Sequence, residues 1–565
     1  MKPRLAWALL ALAAGLLFFR LGRPALWQDE AETALRAVSI LHSGVPRMTV
    51  DGALVSTQPS LAAHEGTAGG IWIWNTWLPP YLTAGSFAVF GRSPWAARLP
   101  FALAALLCLW LSWTLFSAAS AEDAGGAQPW AAEMGLACLA LSPAFLLFSR
   151  QSRYYALSAL GAVLVLHSWR RLLADKPGGV WALVGGLQFL LHSAFAFFVV
   201  ACLAVAADAA LRFDECRRFP RFRKAALATL ILSLPSFWFF RLWERPGNHL
   251  YGAGESLEFL KTFLLWLALF ACPIAAPALA ALEKRRVALV LTGFFLLCGL
   301  VGEGTWPRAA ALAVLAWCLA QGVAVQAPRG EMSLRRMSWL WLTASLAVLS
   351  LTAAEPYGRY LMGVLPVTAY LGGVWLARVA RGRVAVALAV AACAVATNWL
   401  GWLPVKAASF IGAPRAPVQS VSGMMRQRLR DVSPRSDLLR LVGELARGPQ
   451  GYIEPAAAAI VSAGGGSVFS AADNLSLMFA SGAAPIYGTE LSGRAPDWIL
   501  VSAWLRLDPR AEVAVQSLLS GGLYELLPLR GPLLLWQNNP DPLYRDFSPR
   551  QGPLPLFRRK KSERP

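Results

Sequence analysis

Apolar runs recur along the chain at about 5–20, 95–116, 130–148, 154–172, 179–196, 197–213, 225–243, 259–281, 287–302, 308–325, 338–354, 359–376 and 383–402. Each approaches the ~20 residues that a helix needs to cross a hydrocarbon core. Inside lipid the backbone N–H and C=O groups find no water, so a crossing segment must satisfy them itself, as a helix does and an open strand does not. The expected fold is therefore an all-α polytopic membrane protein with about thirteen transmembrane helices. Composition agrees, with 56 % hydrophobic and 15 % charged residues and a mean hydropathy of +0.49, where soluble domains carry about a quarter charged residues. The polar His192-Ser193 divides 179–213 into two spans. Met1-Lys2-Pro3-Arg4 before the first run also suits a signal peptide. A retained first helix is preferred because more spans follow, and cleavage would leave Asp29 on the same side.

The net charge is +20. Most of the excess lies in short loops between apolar runs, which fits the positive-inside pattern and makes nucleic acid an unsuitable partner. With the N-terminus in the cytoplasm, the basic loops Arg170-Arg171 to Lys176, Arg212 to Lys224, Lys284-Arg285-Arg286, Arg329 to Arg336 and Arg378 to Arg383 all fall inside. The exception is 117–129, which carries Glu122 and Asp123 and no Lys or Arg. If residues 76–91 crossed the membrane, every later basic loop would move outside, so this stretch is placed in the interface plane as an amphipathic helix. Residues 22–92 then form a large outer loop with a second interfacial helix at 30–42, where Ala31, Ala34, Leu35, Val38 and Leu41 recur at helical spacing.

The transmembrane domain is read as 1–403. After Trp402 the chain turns rich in loops, and 404–565 reads as a small α/β domain on the outer side. It has helices near 435–447, 473–481 and 510–520, strands at 498–503, 523–528 and 532–537, and a disordered basic tail at Arg558-Arg559-Lys560-Lys561. The eight cysteines, Cys108, Cys138, Cys202, Cys216, Cys272, Cys298, Cys318 and Cys393, include no CxxC pair. Neither a zinc site nor a disulfide framework is indicated. No cofactor is expected; a divalent metal near the acidic pair would be possible but has no His or Cys spacing behind it.

This topology gathers acids and guanidinium groups at the outer ends of several helices, among them Glu65, Arg98, Arg245, His249 and Arg308. Ionisable groups at that depth are costly and mark functional surfaces. Asp29 and Glu30 follow the first span directly. As a general base, Asp29 would take a proton from an acceptor hydroxyl, with Glu30 positioning it. Asp29 with Glu32 three residues on also fits a capping box for the 30–42 helix. Arg150 and Arg153, at i and i+3, can share a face with Tyr154 beside them. Guanidinium forks suit phosphate oxygens, and a phosphate leaving group held there would be stabilised as its charge develops. Arg359 is a further phosphate ligand or the i, i+4 partner of Glu355. His192 is either a polar spot of the cleft or a core histidine. Glu303 and Trp306 are candidate sugar contacts.

Three stretches together resemble the membrane glycosyltransferases of the GT-C fold, of the family 39 type. The nearer relatives are bacterial protein mannosyltransferases and lipid A aminoarabinose transferases. The first stretch is Asp29-Glu30 with its helix and Gly44-Val45-Pro46. The second is Leu78-Pro79-Pro80-Tyr81-Leu82 through Phe90-Gly91-Arg92-Ser93-Pro94-Trp95-Ala96-Ala97-Arg98-Leu99-Pro100. The third is Ser142-Pro143 with Ser149-Arg150 to Tyr155, followed late in the chain by Arg359-Tyr360-Leu361 and Pro366. The resemblance spans roughly 5–400. It implies a polyprenyl-phosphate sugar as donor, an envelope lipid, glycan or protein as acceptor, and inverting transfer at the outer face of the bacterial cytoplasmic membrane. Asp29 matches the catalytic acidic position. Relatives often carry Lys before the paired prolines, where this chain has Trp77-Leu78-Pro79-Pro80, so Arg150, Arg153 and Arg359 must hold more of the phosphate or the donor differs. A lipid or sugar transporter or flippase is the main alternative, and a ligase joining polymers to a lipid another. Against transport, the charges gather at one face instead of the midplane. The sequence does not specify an oligomeric state.

Overall fold

A computed structural model describes residues 2–57, 59, 62–122, 130–242, 252–267, 305–327, 330–353, 356–379, 437–448, 451–471, 473–491, 493–501, 509–529 and 554–560. In chain order the helices begin with α1 (Lys2–Phe18), α2 (Gln28–Ser43), α3 (Ala62–Glu65), α4 (Leu78–Phe90) and α5 (Pro94–Glu122). Then follow α6 (Ala131–Ala140), α7 (Pro143–Ser149), α8 (Tyr155–Leu173), α9 (Gly179–Ser193), α10 (Phe195–Leu211), α11 (Phe213–Arg218) and α12 (Pro220–Phe239). Next come α13 (Ala253–Trp266), α14 (Thr305–Ala324), α15 (Leu334–Thr352) and, after a 3-10 turn at Gly358–Val364, α16 (Leu365–Val379). The last four are α17 (Asp437–Arg447), α18 (Ile453–Ser462), α19 (Asn474–Ser481) and α20 (Pro509–Ser520). The chain divides into two compact units.

The first unit comprises 1–19, 101–150 and 154–443 and is helical where described. Among the described residues, two helical stretches, Pro94–Ser120 and Gly358–Ala377, are long and apolar enough to cross a membrane. A third is α6 with α7 if that pair, bent by 54°, is one span. The expected single span at 130–148 is thus broken. Pro143 has no N–H to continue α6, and Ser142 caps α7 by accepting from the Phe145 N–H at 3.3 Å. The α9–α10 break falls beside His192-Ser193 as expected, with Ala194 at φ −149°, ψ 78°. Shorter apolar helices occupy four of the other expected spans, at 5–20, 179–196, 197–213 and 308–325, and α8, α12 and α15 cover 154–172, 225–243 and 338–354 in whole or large part. Those at 287–302 and 383–402 lie outside the described residues, as does most of 259–281.

Tight packing inside this unit depends on glycine. A Cβ on Gly373 in α16 would stand 2.3 Å from the Gly135 nitrogen and 2.6 Å from the Ala131 carbonyl oxygen in α6. Close approach of backbones through small residues is how spans associate where apolar burial gives no net drive. We expect Gly373→Ala to force α6 and α16 apart and cost about 1–3 kcal/mol, read as a lowered Tm. An unchanged Tm would mean that the backbones yield freely.

Three of the basic loops share one end of the helices. Asp208, fully buried in α10, accepts from the Trp169 indole at 2.8 Å and from Arg212 at 3.1 Å, and pairs with Arg336 of α15 at 2.6 Å. Arg212 also donates to the Glu331 carbonyl at 2.6 Å, and Arg221 pairs with Asp175 at 2.7 Å. The 170–176, 212–224 and 330–336 connections therefore lie together.

The second unit comprises 20–100, 151–153 and 444–565. Its helix α2 packs against α4 and α19 around Ala31, Leu35, Val38, Phe87 and Leu475. Beside it, β1 (Thr49–Val50) and β2 (Ala53–Leu54) form a small hairpin. The strands β3 (Ser467–Ser470), β4 (Ala484–Ile486), β5 (Trp498–Leu500), β6 (Tyr524–Leu529) and β7 (Leu554–Arg559) form one sheet in the order β4-β3-β5-β7-β6. β3 runs parallel to β4 and β5, and β7 antiparallel to β5 and β6. Successive side chains point to opposite faces, and both faces are covered. Val468 and Leu500 pack with Ile453 and Ile460 of α18, while Phe469 and Ile499 pack with Ala511 and Val515 of α20.

Helices α17, α19 and α20 and strands β5 and β6 match the expected elements. The expected strand at 532–537 lies outside the described residues. The basic tail is corrected in part: Arg558 and Arg559 belong to β7, which pairs on both edges. Leu556 is wholly buried, and Arg558 lies over the Trp498 ring and near Glu525. Sheet pairing and one buried leucine outweigh a run of positive charge.

Candidate active site

The acidic corner is built where α2 begins in the second unit. Trp27 is the N-cap, so Asp29 is already the second helical residue. The capping arrangement of Asp29 with Glu32 is therefore not the one formed. Instead Glu30 reaches back to the Trp27 N–H at 3.3 Å. The same carboxylate accepts two parallel bonds from Arg98, Nε to Oε1 at 2.8 Å and Nη2 to Oε2 at 2.6 Å, and one from the Ser152 N–H at 2.8 Å. Arg98 also donates to the Leu21, Pro24 and Ala25 carbonyls. Both partners are buried. A fork-to-fork pair with its remaining valences filled is the arrangement in which a buried ion pair holds. Glu30 is a structural pivot that ties the chain at 21–25, 98 and 152 to the start of α2.

Asp29 differs from its neighbours. Its side chain is 20 % exposed, against 1 % for Glu30 and for Glu32. Arg153 approaches its Oδ2 at 3.6 Å and donates to its backbone carbonyl at 3.1 Å. The same guanidinium donates to Glu32 Oε2 at 3.1 Å and to Thr33 Oγ1 at 3.3 Å. Among the described residues nothing engages Oδ1. Glu32 then faces Arg36 at 3.6 Å, and Arg36 faces Glu65 at 3.9 Å. The result is an alternating chain, Asp29–Arg153–Glu32–Arg36–Glu65. Arg36 is wholly buried, donates to the Arg47 and Val55 carbonyls and lies under the Trp72 ring. The Ser56 hydroxyl donates to Glu65 at 3.0 Å, and the Tyr487 hydroxyl donates to the Leu54 carbonyl at 2.8 Å. Burial lowers the Arg36 pKa and raises that of the Tyr487 phenol.

Glu65 is the strained member. Burial raises its carboxyl to about 7, Glu32 adds to the rise, and Arg36 and the Ser56 hydroxyl oppose it. The folded protein thus holds this proton more tightly than the unfolded chain, whose carboxyl titrates at 4.5. Its contribution to stability is complete below that value and is lost as pH rises to about 7. We expect Tm to fall across that window and Glu65→Gln, which keeps a neutral side chain at every pH, to flatten the fall. A parallel slope in both proteins would remove Glu65 as its source.

The first unit holds other expected residues. Arg150 donates to the Leu16, Leu17 and Phe19 carbonyls at 2.5, 2.8 and 2.9 Å, so it caps the end of α1. The Tyr154 ring meets Tyr155 tilted by 59°, with centroids 4.8 Å apart. Arg359 is buried over the Tyr357 ring at 3.9 Å. His192 meets the Ser236 hydroxyl at 3.3 Å. Trp306 lies in α14, its side chain outside the described residues; Glu303 and Glu355 are also outside them, and with Glu355 its pairing to Arg359. Sequence reasoning passed over Lys261, fully buried and paired with Glu258 at 2.5 Å, with Arg308 on the same carboxylate at 3.1 Å. It placed Arg98 among the outer charges without a role, and passed over Arg36 and Tyr487. Lys261 with Glu258 and Arg36 with Glu32 stand at the local i, i+3 and i, i+4 spacings, whereas Arg98 and Tyr487 find Glu30 and the Leu54 carbonyl 68 and 433 residues away. Among the described residues no group of three or more His, Cys, Asp or Glu side chains is gathered for a metal ion.

The structure is similar to that of ArnT from Cupriavidus metallidurans bound to undecaprenyl phosphate. The likeness covers 98 % of each chain, with a TM-score of 0.50 and 14 % identity. The fold is that of ArnT. ArnT is a lipid A aminoarabinose transferase of the GT-C fold, the fold that the sequence resemblance implied. ArnT from the same organism in the apo state is similar over 93 % of this chain and 95 % of that one, with a TM-score of 0.47 and 14 % identity. No family model and no curated protein matches the sequence. The likeness to the bound ArnT structure runs nearly the length of both chains.

Proposed function

We propose that this protein is an integral membrane glycosyltransferase. It moves a sugar from a polyprenyl-phosphate donor to an envelope lipid, glycan or protein at the outer face of the bacterial inner membrane, through a bundle of about thirteen spans. The observation that carries the reading is the division of labour in the acidic corner. Glu30 and Glu32 are buried and paired, while Asp29 is held from one side and open on the other. In the proposed step Asp29 takes the proton of an acceptor hydroxyl. The hydroxyl oxygen bonds to the anomeric carbon as the carbon–oxygen bond to phosphate breaks, and the polyprenyl phosphate leaves with that electron pair. Arg153 fixes the base. Arg150, committed to capping α1, is set aside as a phosphate ligand. Arg359 keeps that role on sequence grounds. ArnT binding undecaprenyl phosphate supports the choice of carrier.

The experiment that tests the reaction class uses purified protein in detergent, where no gradient exists, with a polyprenyl-phosphate sugar and an envelope lipid extract. Release of free polyprenyl phosphate with a glycosylated acceptor is expected. Movement of the intact donor across vesicles with no cleavage would replace this reading with a flippase.

A further inference from the structure

The first unit carries an apolar groove of about 590 Å³ between α9, α10 and α12, closed at its base by the end of α8. Helices α10 and α12 each pack on α9, and the groove runs between them. Its walls include Trp169, Leu187, Phe198, Ala206, Ala226 and Phe237. Small alanines on α10 and α12 leave the width, and the ring of Phe222 against Trp169 closes one end, with centroids 5.7 Å apart. Along α12 the lining runs from Phe222 to Phe237, about 22 Å at 1.5 Å per residue. That exceeds the roughly 15 Å of one leaflet's hydrocarbon.

One end of the groove is strongly basic. Arg223 and Lys224 follow Phe222 directly and are exposed, as are Arg171, Arg217 and Arg218. Arg221, beside them, is already paired with Asp175. The ammonium of Lys224 stands 5.6 Å from the Trp181 ring, and Trp181, Phe213 and Phe219 are exposed at the same end. Exposed aromatics mixed with Lys and Arg mark the depth of lipid headgroups. The Asp208–Arg212–Arg336 cluster braces the helix ends, because its Trp169 partner is also a groove wall. This end lies at Leu173, the far end of α8 from Tyr154 and Tyr155, roughly 28 Å along the helix.

We infer that this groove binds one acyl chain of an anionic glycerophospholipid, with the headgroup held by Arg223, Lys224 and the neighbouring arginines. The apolar walls ask for a hydrocarbon chain, and the charge at the mouth asks for an anion. Basic pockets between spans on the positive side take anionic headgroups, at about 1 kcal/mol per Lys or Arg. The site is separate from the proposed sugar transfer, which needs residues elsewhere in the chain, so the two readings stand or fall apart.

The test is native mass spectrometry of the full-length protein taken from phosphatidylcholine nanodiscs containing a minority of phosphatidylglycerol. The wild-type chain should retain phosphatidylglycerol in preference to phosphatidylcholine, and R223Q/K224Q should lower its apparent affinity about 30-fold, some fivefold per charge. Ala206→Trp with Ala226→Trp fills the groove without touching the charges and should abolish retention. Leu227→Trp, on an exposed position of α12 that does not line the groove, should leave it intact and serves as the folding control. Equal retention of both lipids, or phosphatidylglycerol retained after the groove is filled, would overturn the inference. So would displacement of phosphatidylglycerol by equimolar undecaprenyl phosphate, which would make the groove a carrier site.

Discussion

Asp29→Asn should keep a folded protein with an unchanged Tm and lose sugar transfer by about 10²–10⁴-fold, the range that a positioned general base contributes. The substitution keeps the size of a side chain that is 20 % exposed and touches one guanidinium at 3.6 Å, so little stability is at stake. The loss should appear in kcat, because a proton acceptor acts in the transition state and not in ground-state binding. Transfer within tenfold of wild type would end the base assignment while leaving the fold untouched. Glu32→Gln makes a useful contrast. Glu32 sits between Arg153 and Arg36, so its loss should lower both Tm and activity together.

Arg98→Met should be the most damaging change for stability in the acidic corner, at about 3–5 kcal/mol, because it strands the buried Glu30 carboxylate. Methionine approximates the apolar stem, so the cost is chiefly electrostatic. Thermal unfolding and protease resistance of residues 20–100 would measure it. The double variant E30Q/R98M should recover part of the loss, since no buried charge is stranded and the amide oxygen still accepts from the Ser152 N–H. A loss below about 1 kcal/mol in R98M would place the pair among the weak, solvated bridges instead.

Much of the helical first unit was legible in the sequence because lipid enforces a simple code. A run of apolar residues near the bilayer thickness must be helical, and the break beside His192-Ser193 sits where polarity interrupts the run. Proline chemistry bent the 130–148 run, a local rule that run length conceals. In the second unit the periodic helices and two strands were readable. The strands β3 and β4 were not, being short and set among glycine, serine and alanine. Strand β7 was hidden by its own arginines. Asp29 and Glu30 stood out as charges beside a span, but their division of roles depends on exposure and on partners at residues 98, 152 and 153. Arg150 was legible as a cation, but its bonds to backbone carbonyls at the end of α1 were not, because no side-chain motif encodes them.

The bond from the Ser152 N–H to Glu30 joins residues 122 positions apart, and that from Arg153 to Glu32 joins residues 121 apart. During synthesis, Glu30 and Glu32 therefore emerge long before residues 151–153 complete their bonding, although their partners Arg36 and Arg98 are made sooner. The start of α2 lacks these two bonds until the ribosome has made residue 153. A chain stalled or cut before that point could pair Glu30 with Arg98 but would leave Asp29 without its guanidinium, and quality-control proteases would meet it in that state.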